Sequence, residues 1–253
     1  MEEKLLETFV GAFVSELVSQ SKELVSEFGD EAKQLLNRGV KKYLDKQKEK
    51  YSHLKTLLRG NTPVYLYDIY YPLKIENDKD GVIETKNITD IFKKSNYVTL
   101  IGDAGSGKST LVKHLFLNSI YLKSGIPILV ELRYLNEYND SLENFIIEKI
   151  FENKLTENIK ILNRLLEQGR FTFFLDGYDE LTKENKQKII KNINSFVNQY
   201  DRNRFILTTR PYSDIEHLPL FHNYFIKGLD YENKEIEGFI YKQLTQEIEV
   251  AQK

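Results

Sequence analysis

Apolar residues at Leu5, Leu6, Phe9, Val10, Phe13, Val14, Leu17 and Val18 fall in adjacent pairs every four positions, a stripe of helical period. Phe28-Gly29-Asp30 interrupts it: Gly29 suits the residue after a helix end and Asp30 can cap a new one. The spacing then predicts a second, charge-rich helix over about Glu31–Leu58, closed by Arg59-Gly60-Asn61. From Thr62 the pattern changes. The run from Pro63 to Leu73 is aromatic, bounded by prolines and expected to be extended, and Glu76 to Gly81 reads as a loop or hairpin turn. Beyond it, short apolar runs alternate with amphipathic stretches. Tyr97–Ile101, Ile126–Leu132, Phe171–Leu175, Arg204–Thr208 and Tyr224–Lys227 read as strands; Lys108–Leu122, Leu142–Phe151, Glu157–Gln168 and Lys183–Gln199 read as helices. Strands separated by helices of this length predict βαβ units and a parallel sheet flanked by helices, an α/β fold with a small all-α region in front. Tyr231–Lys253 reads as one polar helix with a frayed end.

Composition adds mainly exclusions. The 253 residues suffice for one α/β domain and a smaller attachment, and 41% hydrophobic residues suffice for one core. Basic residues number 36 and acidic residues 38, so nothing in the net charge of −2 indicates nucleic acid as a partner, although local patches stay possible. The absence of cysteine removes disulfides and thiolate metal sites. The four histidines, His53, His114, His217 and His222, read as packing or surface residues. Met1-Glu2-Glu3-Lys4 has no leader-like basic start, and no apolar run reaches the roughly 18 residues of a spanning helix. The chain is expected to be soluble and cytoplasmic.

Three blocks carry chemistry. Gly102-Asp103-Ala104-Gly105-Ser106-Gly107-Lys108-Ser109 matches G-x-x-x-x-G-K-[ST] at every required position, with a strand entering and a helix leaving. The glycines let successive backbone N–H groups face phosphate oxygens, and the helix N-terminus adds its positive dipole end. Lys108 is placed to reach the β- and γ-phosphates, Ser109 to ligate Mg²⁺, and Thr110 to contact the α-phosphate side. The second block, Phe173-Phe174-Leu175-Asp176-Gly177-Tyr178-Asp179-Glu180, ends a buried strand on a carboxylate. Such a group needs a cation or donors, and Asp176 stands where it would hold Mg²⁺. Asp179 and Glu180 offer two further carboxylates; one of them would orient or activate the attacking water, and Glu180 is preferred. The third block, Phe205-Ile206-Leu207-Thr208-Thr209-Arg210-Pro211, brings a fixed positive charge to the same sheet edge, where Arg210 could sense a γ-phosphate.

Taken in order, these blocks resemble the NACHT family of signalling NTPases, within the STAND class of P-loop switch ATPases. The Leu175-Asp176-Gly177-Tyr178-Asp179-Glu180 form is the most discriminating match. Two softer matches to prokaryotic members are Pro63 to Tyr70 and Ile126-Pro127-Ile128-Leu129-Val130-Glu131-Leu132-Arg133. The resemblance implies an ASCE-type P-loop sheet and ATP/ADP exchange with Mg²⁺ as a switch. It also implies homo-oligomerisation of the ATP form, activation of an attached effector by a separate trigger, and, for bacterial members, antiphage defence. On it the chain divides into a helical effector or oligomerisation region (1–60), a lead-in (61–95), the NTPase core (96–230) and the start of a C-terminal helical region (231–253). The winged-helix and sensor regions of the family have no counterpart before residue 253, so the sequence is expected to be a portion of a longer chain, the alternative being a minimal member that senses differently.

The stripe from Leu5 to Val18 admits two readings. Its flank is acidic, with Glu2, Glu3, Glu7 and Glu16 against Lys4, whereas interfacial membrane helices carry basic polar faces. Packing on a neighbouring helix or on partner copies is therefore the preferred reading. Two rival functions remain open: a motor ATPase of high turnover, and an interaction module built on the N-terminal helices. Neither adenine nor guanine is read by any residue identified so far, so ATP is taken from the resemblance.

Overall fold

The computed structural model describes residues 22–56 and 60–251. The stripe from Leu5 to Val18 lies outside them. Strands β1 (His53–Leu54) and β2 (Val64–Tyr65) form a small antiparallel pair, while β3 (Lys74–Asn77), β4 (Gly81–Glu84), β5 (Tyr97–Ile101), β6 (Ile126–Glu131), β7 (Phe171–Asp176), β8 (Arg204–Thr209) and β9 (His222–Lys227) form one sheet. Its order is β4-β3-β9-β5-β8-β7-β6. The five strands from β9 to β6 are parallel, as their pattern predicts. The turn read at Glu76 to Gly81 is that of a hairpin, β3–β4; the addition is that β3 pairs antiparallel along β9 through Ile75↔Ile226 and makes the sheet mixed.

The parallel strands β5 to β8 are largely apolar runs because helices cover both faces. Phe171, Phe173, Phe174, Leu175, Phe205, Ile206 and Leu207 are all buried, each worth about 1.5–3 kcal/mol of transfer free energy. Phe173 and Phe205 stack at 5.2 Å, and the edge of Phe196 meets Phe173 at 5.2 Å.

Helix α1 spans Lys22–Ser52 with a non-helical break at Gly29, where the sequence reading puts the end of one helix. It stops six residues before the expected Leu58, because His53 and Leu54 leave the helix to pair with Tyr65 and Val64. Leu36, Val40, Tyr43, Leu44 and Tyr51 bury its apolar face in the main core. Tyr43 donates to the Pro127 carbonyl at 2.8 Å, and Gly39 lies so close to the turn after the 142–152 helix that an added Cβ would sit 2.1 Å from the Leu155 oxygen. The run expected to be extended after Pro63 contains one turn of helix, α2 (Leu66–Ile69), whose Leu66 and Ile69 are buried. A short helix α3 (Ile88–Phe92) follows the hairpin. Then come α4 (Lys108–Tyr121), α5 (Leu142–Glu152), α6 (Ile159–Glu167), α7 (Lys183–Gln199) and α8 (Glu235–Ala251). Lys74 on β3 donates to Glu235 at 2.5 Å and ties α8 to the sheet edge. Among the described residues, no helix is long and apolar enough to cross a membrane.

Candidate nucleotide site

Strand order decides which side chains meet. Because β8 lies between β5 and β7, the carboxyl ends of three strands bring the glycine loop, Thr208-Thr209-Arg210 and Asp176 together. The loop from Gly102 to Ser109 turns on Gly105 (φ 80°) and Gly107 (φ 86°), left-handed conformations that a β-carbon would strain. Gly107 is the residue from which α4 starts, so the helix N-terminus faces the loop. The Gly102 N–H donates to the Thr209 carbonyl at 3.2 Å and fixes the loop to β8.

Within this frame Lys108 donates to the carbonyls of Gly102 at 2.6 Å and Asp103 at 2.9 Å. Burial lowers its pKa, and the nearby Asp179, Asp176 and Asp103 oppose that effect. Asp176 accepts from Thr208 Oγ1 at 2.5 Å and also from the Ser109 hydroxyl. Thr208 Oγ1 in turn accepts from the Gly177 N–H at 2.8 Å. Burial raises the Asp176 carboxyl above its ordinary range; the two hydroxyls pull it down, and Glu131 and Asp179 push it up again. Arg210 Nε contacts Asp179 Oδ2 at 2.8 Å. Glu180 is more exposed and lies 3.7 Å from Arg133, which also contacts Glu131. A cavity of about 390 Å³ is lined by Ala104, Gly105, Gly107, Lys108, Ser109, Thr110, Asp176, Asp179, Glu180, Thr208 and Arg210. All but three of the residues singled out from the motifs line it. Gly102, Asp103 and Ser106 lie instead on the other side of the loop, against a second cavity.

That second cavity, about 610 Å³, is built from apolar walls: Ile69, Tyr70, Tyr71, Leu73, Pro211, Leu229 and Phe239 among them, with Gln243 as a polar member. It shares Gly105, Gly107 and Thr110 with the first, so the loop separates an apolar chamber from a charged one. Gln243 donates to the Ile69 carbonyl at 2.6 Å, and Tyr71 meets Phe239 edge-on at 6.3 Å. Neither this chamber nor the contributions of Thr208, Glu131 and Arg133 came out of the motif reading. The signal available was the aromatic run before Leu73, which carries no phosphate chemistry and so drew no role.

The residues fit a magnesium nucleotide. The loop has the fold of an anion cradle, Ser106 Oγ is buried in it without a partner, and Lys108 supplies a cation. Ser109 and Asp176 present one hydroxyl and one carboxylate oxygen, hard donors of the type Mg²⁺ takes together with phosphate oxygens and water. Among the described residues no cluster of three or more His, Asp or Glu could hold a metal unaided.

A parallel α/β sheet whose first core strand feeds a G-x-x-x-x-G-K-S loop and whose neighbouring strand tips supply Asp176 and Arg210 is that of a P-loop NTPase. The NACHT domain model matches residues 96–246, more than half of the chain. The chain belongs to the NACHT domain family and is thereby a nucleotide-binding P-loop NTPase. Two curated relatives are similar over part of their length. Origin recognition complex subunit 4 of Rattus norvegicus is 30% identical over 131 residues, covering 44% of this chain and 30% of that protein. The Mus musculus subunit is 29% identical over 130 residues with the same coverage. The match thus spans under a third of the length of either relative. The structure of C. elegans PCH-2 aligns over 76% of this chain and 42% of its own, at 14% identity and a TM-score of 0.33, a likeness too distant to argue from.

Proposed function

We propose that the protein is an ATP/ADP switch. It binds ATP with Mg²⁺, hydrolyses it slowly and self-associates in the ATP form to turn on an effector. The observation that supports the reading is that Ser109 and Asp176, from two separate motifs, line one cavity and their side chains interact, as two ligands of one ion would. The triphosphate lies along the glycine loop, where backbone N–H groups and Lys108 take its charge, and the nucleoside enters the apolar chamber against Tyr70, Leu73 and Phe239. Ser109 and Asp176 would hold the metal, which would supply positive charge to offset that of the phosphates.

Glu180 accepts the proton of the attacking water, with Asp179 as the neighbouring carboxylate. For this Glu180 must exchange its contact with Arg133 for the water, and Arg210 must leave Asp179 to meet the γ-phosphate. Two such exchanges before chemistry support slow turnover and a site that distinguishes ATP from ADP. Self-association, the effector, the antiphage setting and a cytoplasmic location are carried over from the family resemblance. Isothermal titration with ADP and with a slowly hydrolysed ATP analogue, each with Mg²⁺, tests the site, and gel filtration under the same conditions tests the switch. Lys108→Ala should weaken binding at least tenfold, the value of one lost charge-assisted hydrogen bond of about 1.5 kcal/mol. Near-normal affinity in that variant sinks the assignment, and an unchanged elution volume with the ATP analogue sinks the switch alone.

A further inference from the structure

Between residues 38 and 55 the chain carries seven Lys or Arg and two Asp or Glu, a local charge of +5 in a protein of net charge −2. Arg38, Lys42, Lys46 and Lys50 recur every fourth residue of α1 and are all exposed, so they form one ridge along the helix, with Lys41 exposed beside it. Asp45 and Glu49 are the only acidic residues of this stretch. Among the described residues, no carboxylate forms an ion pair with any of the four ridge side chains. Twelve residues of helix extend about 18 Å, the length of about five phosphates of one strand at 3.4 Å each.

The opposite face of α1 decides what kind of polyanion fits. Leu36, Val40, Tyr43, Leu44 and Tyr51 are committed to the core, so among the described residues of the ridge segment, 38–52, no apolar face is left to sink into a bilayer. With Tyr43 and Tyr51 buried, the ridge also offers no aromatic platform on which unpaired bases could stack. What remains is a slanting row of cations on a rigid mount: Tyr43 is bonded to β6, and Tyr51 packs edge-on against Phe116 of α4 at 4.8 Å. We propose that this ridge docks the phosphate backbone of double-stranded nucleic acid, without regard to base sequence. The interaction does not use the phosphate loop and stands or falls separately from the nucleotide reading.

The test is fluorescence anisotropy of a labelled duplex of about 25 base pairs, RNA and DNA in turn, titrated with the full chain at 50, 100 and 200 mM salt. Five phosphate contacts give a slope of log K against log salt of about −4.5, or about a 500-fold loss of affinity between 50 and 200 mM. Lys42→Glu/Lys46→Glu should bind at least tenfold more weakly and flatten the slope by about 2, while melting at the wild-type temperature. Should that variant be unstable, Lys42→Gln/Lys46→Gln carries the same expectation for the slope. Absence of duplex binding at 50 mM salt, or equal binding by wild type and a folded variant, overturns the proposal. Ridge-dependent binding to phosphatidylglycerol vesicles but not to duplex also overturns it, in favour of a membrane. Ridge-dependent self-association without duplex binding overturns it in favour of an acidic surface on a second copy.

Discussion

Replacing Thr208 by valine removes one oxygen and leaves the shape of a fully buried side chain. That oxygen is the donor to Asp176 at 2.5 Å and the acceptor for the Gly177 N–H at 2.8 Å. A hydrogen bond to a charged group is worth about 1.5–3 kcal/mol, and a buried N–H left without an acceptor costs about 1–3 kcal/mol; the two are not additive, and about 3 kcal/mol is a central figure. At about 2–4 °C per kcal/mol for a domain of this size, the apo protein should melt about 6–12 °C lower. The pH dependence gives the sign. Burial places the folded pKa of Asp176 above its unfolded value, so the folded state holds this proton more tightly. Stability from this group is present in acid and is lost as pH rises from the unfolded pKa through the folded one. Removing the Thr208 bond raises the folded pKa further, so the deficit of the variant is largest at pH 7. It shrinks as acid protonates Asp176 in both proteins. Differential scanning calorimetry of Thr208→Val, Thr208→Ser and the wild type across this range is the assay. Serine keeps the hydroxyl and should recover most of the loss. Valine melting within about 2 °C of the wild type at pH 7 refutes the reasoning, as does serine melting as low as valine.

Two further outcomes follow from the same geometry. Glu180→Gln should retain nucleotide binding while phosphate release falls about 10²–10⁴-fold, the usual contribution of a positioned base. If Glu180→Gln hydrolyses normally and Asp179→Asn does not, the base is Asp179. Gly39→Ala puts a methyl carbon 2.1 Å from the Leu155 carbonyl oxygen, so α1 or the facing turn must move. Overpacking of this kind costs about 1–3 kcal/mol, and a melting temperature equal to the wild type would show that α1 is not seated on the core.

Four of the five parallel strands, β5 to β8, were legible because they are buried on both faces and so written as largely apolar runs, Phe171 to Leu175 most plainly. The hairpin β3–β4 was legible only in its turn, Glu76 to Gly81, and not in its strands. Lys74-Ile75-Glu76-Asn77 contributes one fully buried core residue, Ile75, and takes its strand form from pairing with β9, about 150 positions away. Helix α1 shows the opposite case: its charge hid how much of it is core. Leu36, Val40, Tyr43, Leu44 and Tyr51 keep helical spacing, but the lysines between them give the stretch a polar mean.

The same division runs through the site. Residues whose role is fixed by local geometry, the glycine loop and the carboxylate at a strand tip, follow from the motif alone. Partners fixed by strand order do not, because nothing in the linear sequence says that β8 separates β5 from β7 or that Glu131 sits in register with Asp176. Those partners share a pattern. Lys108 is held by two carbonyls of its own loop, Arg210 by Asp179, Glu180 by Arg133, and Asp176 by two hydroxyls. Each of these four groups already has a partner inside the protein. On the proposed reading, binding would exchange contacts rather than simply add them, and the two released, Arg210 from Asp179 and Glu180 from Arg133, would be the ones through which a γ-phosphate is felt at the sheet edge.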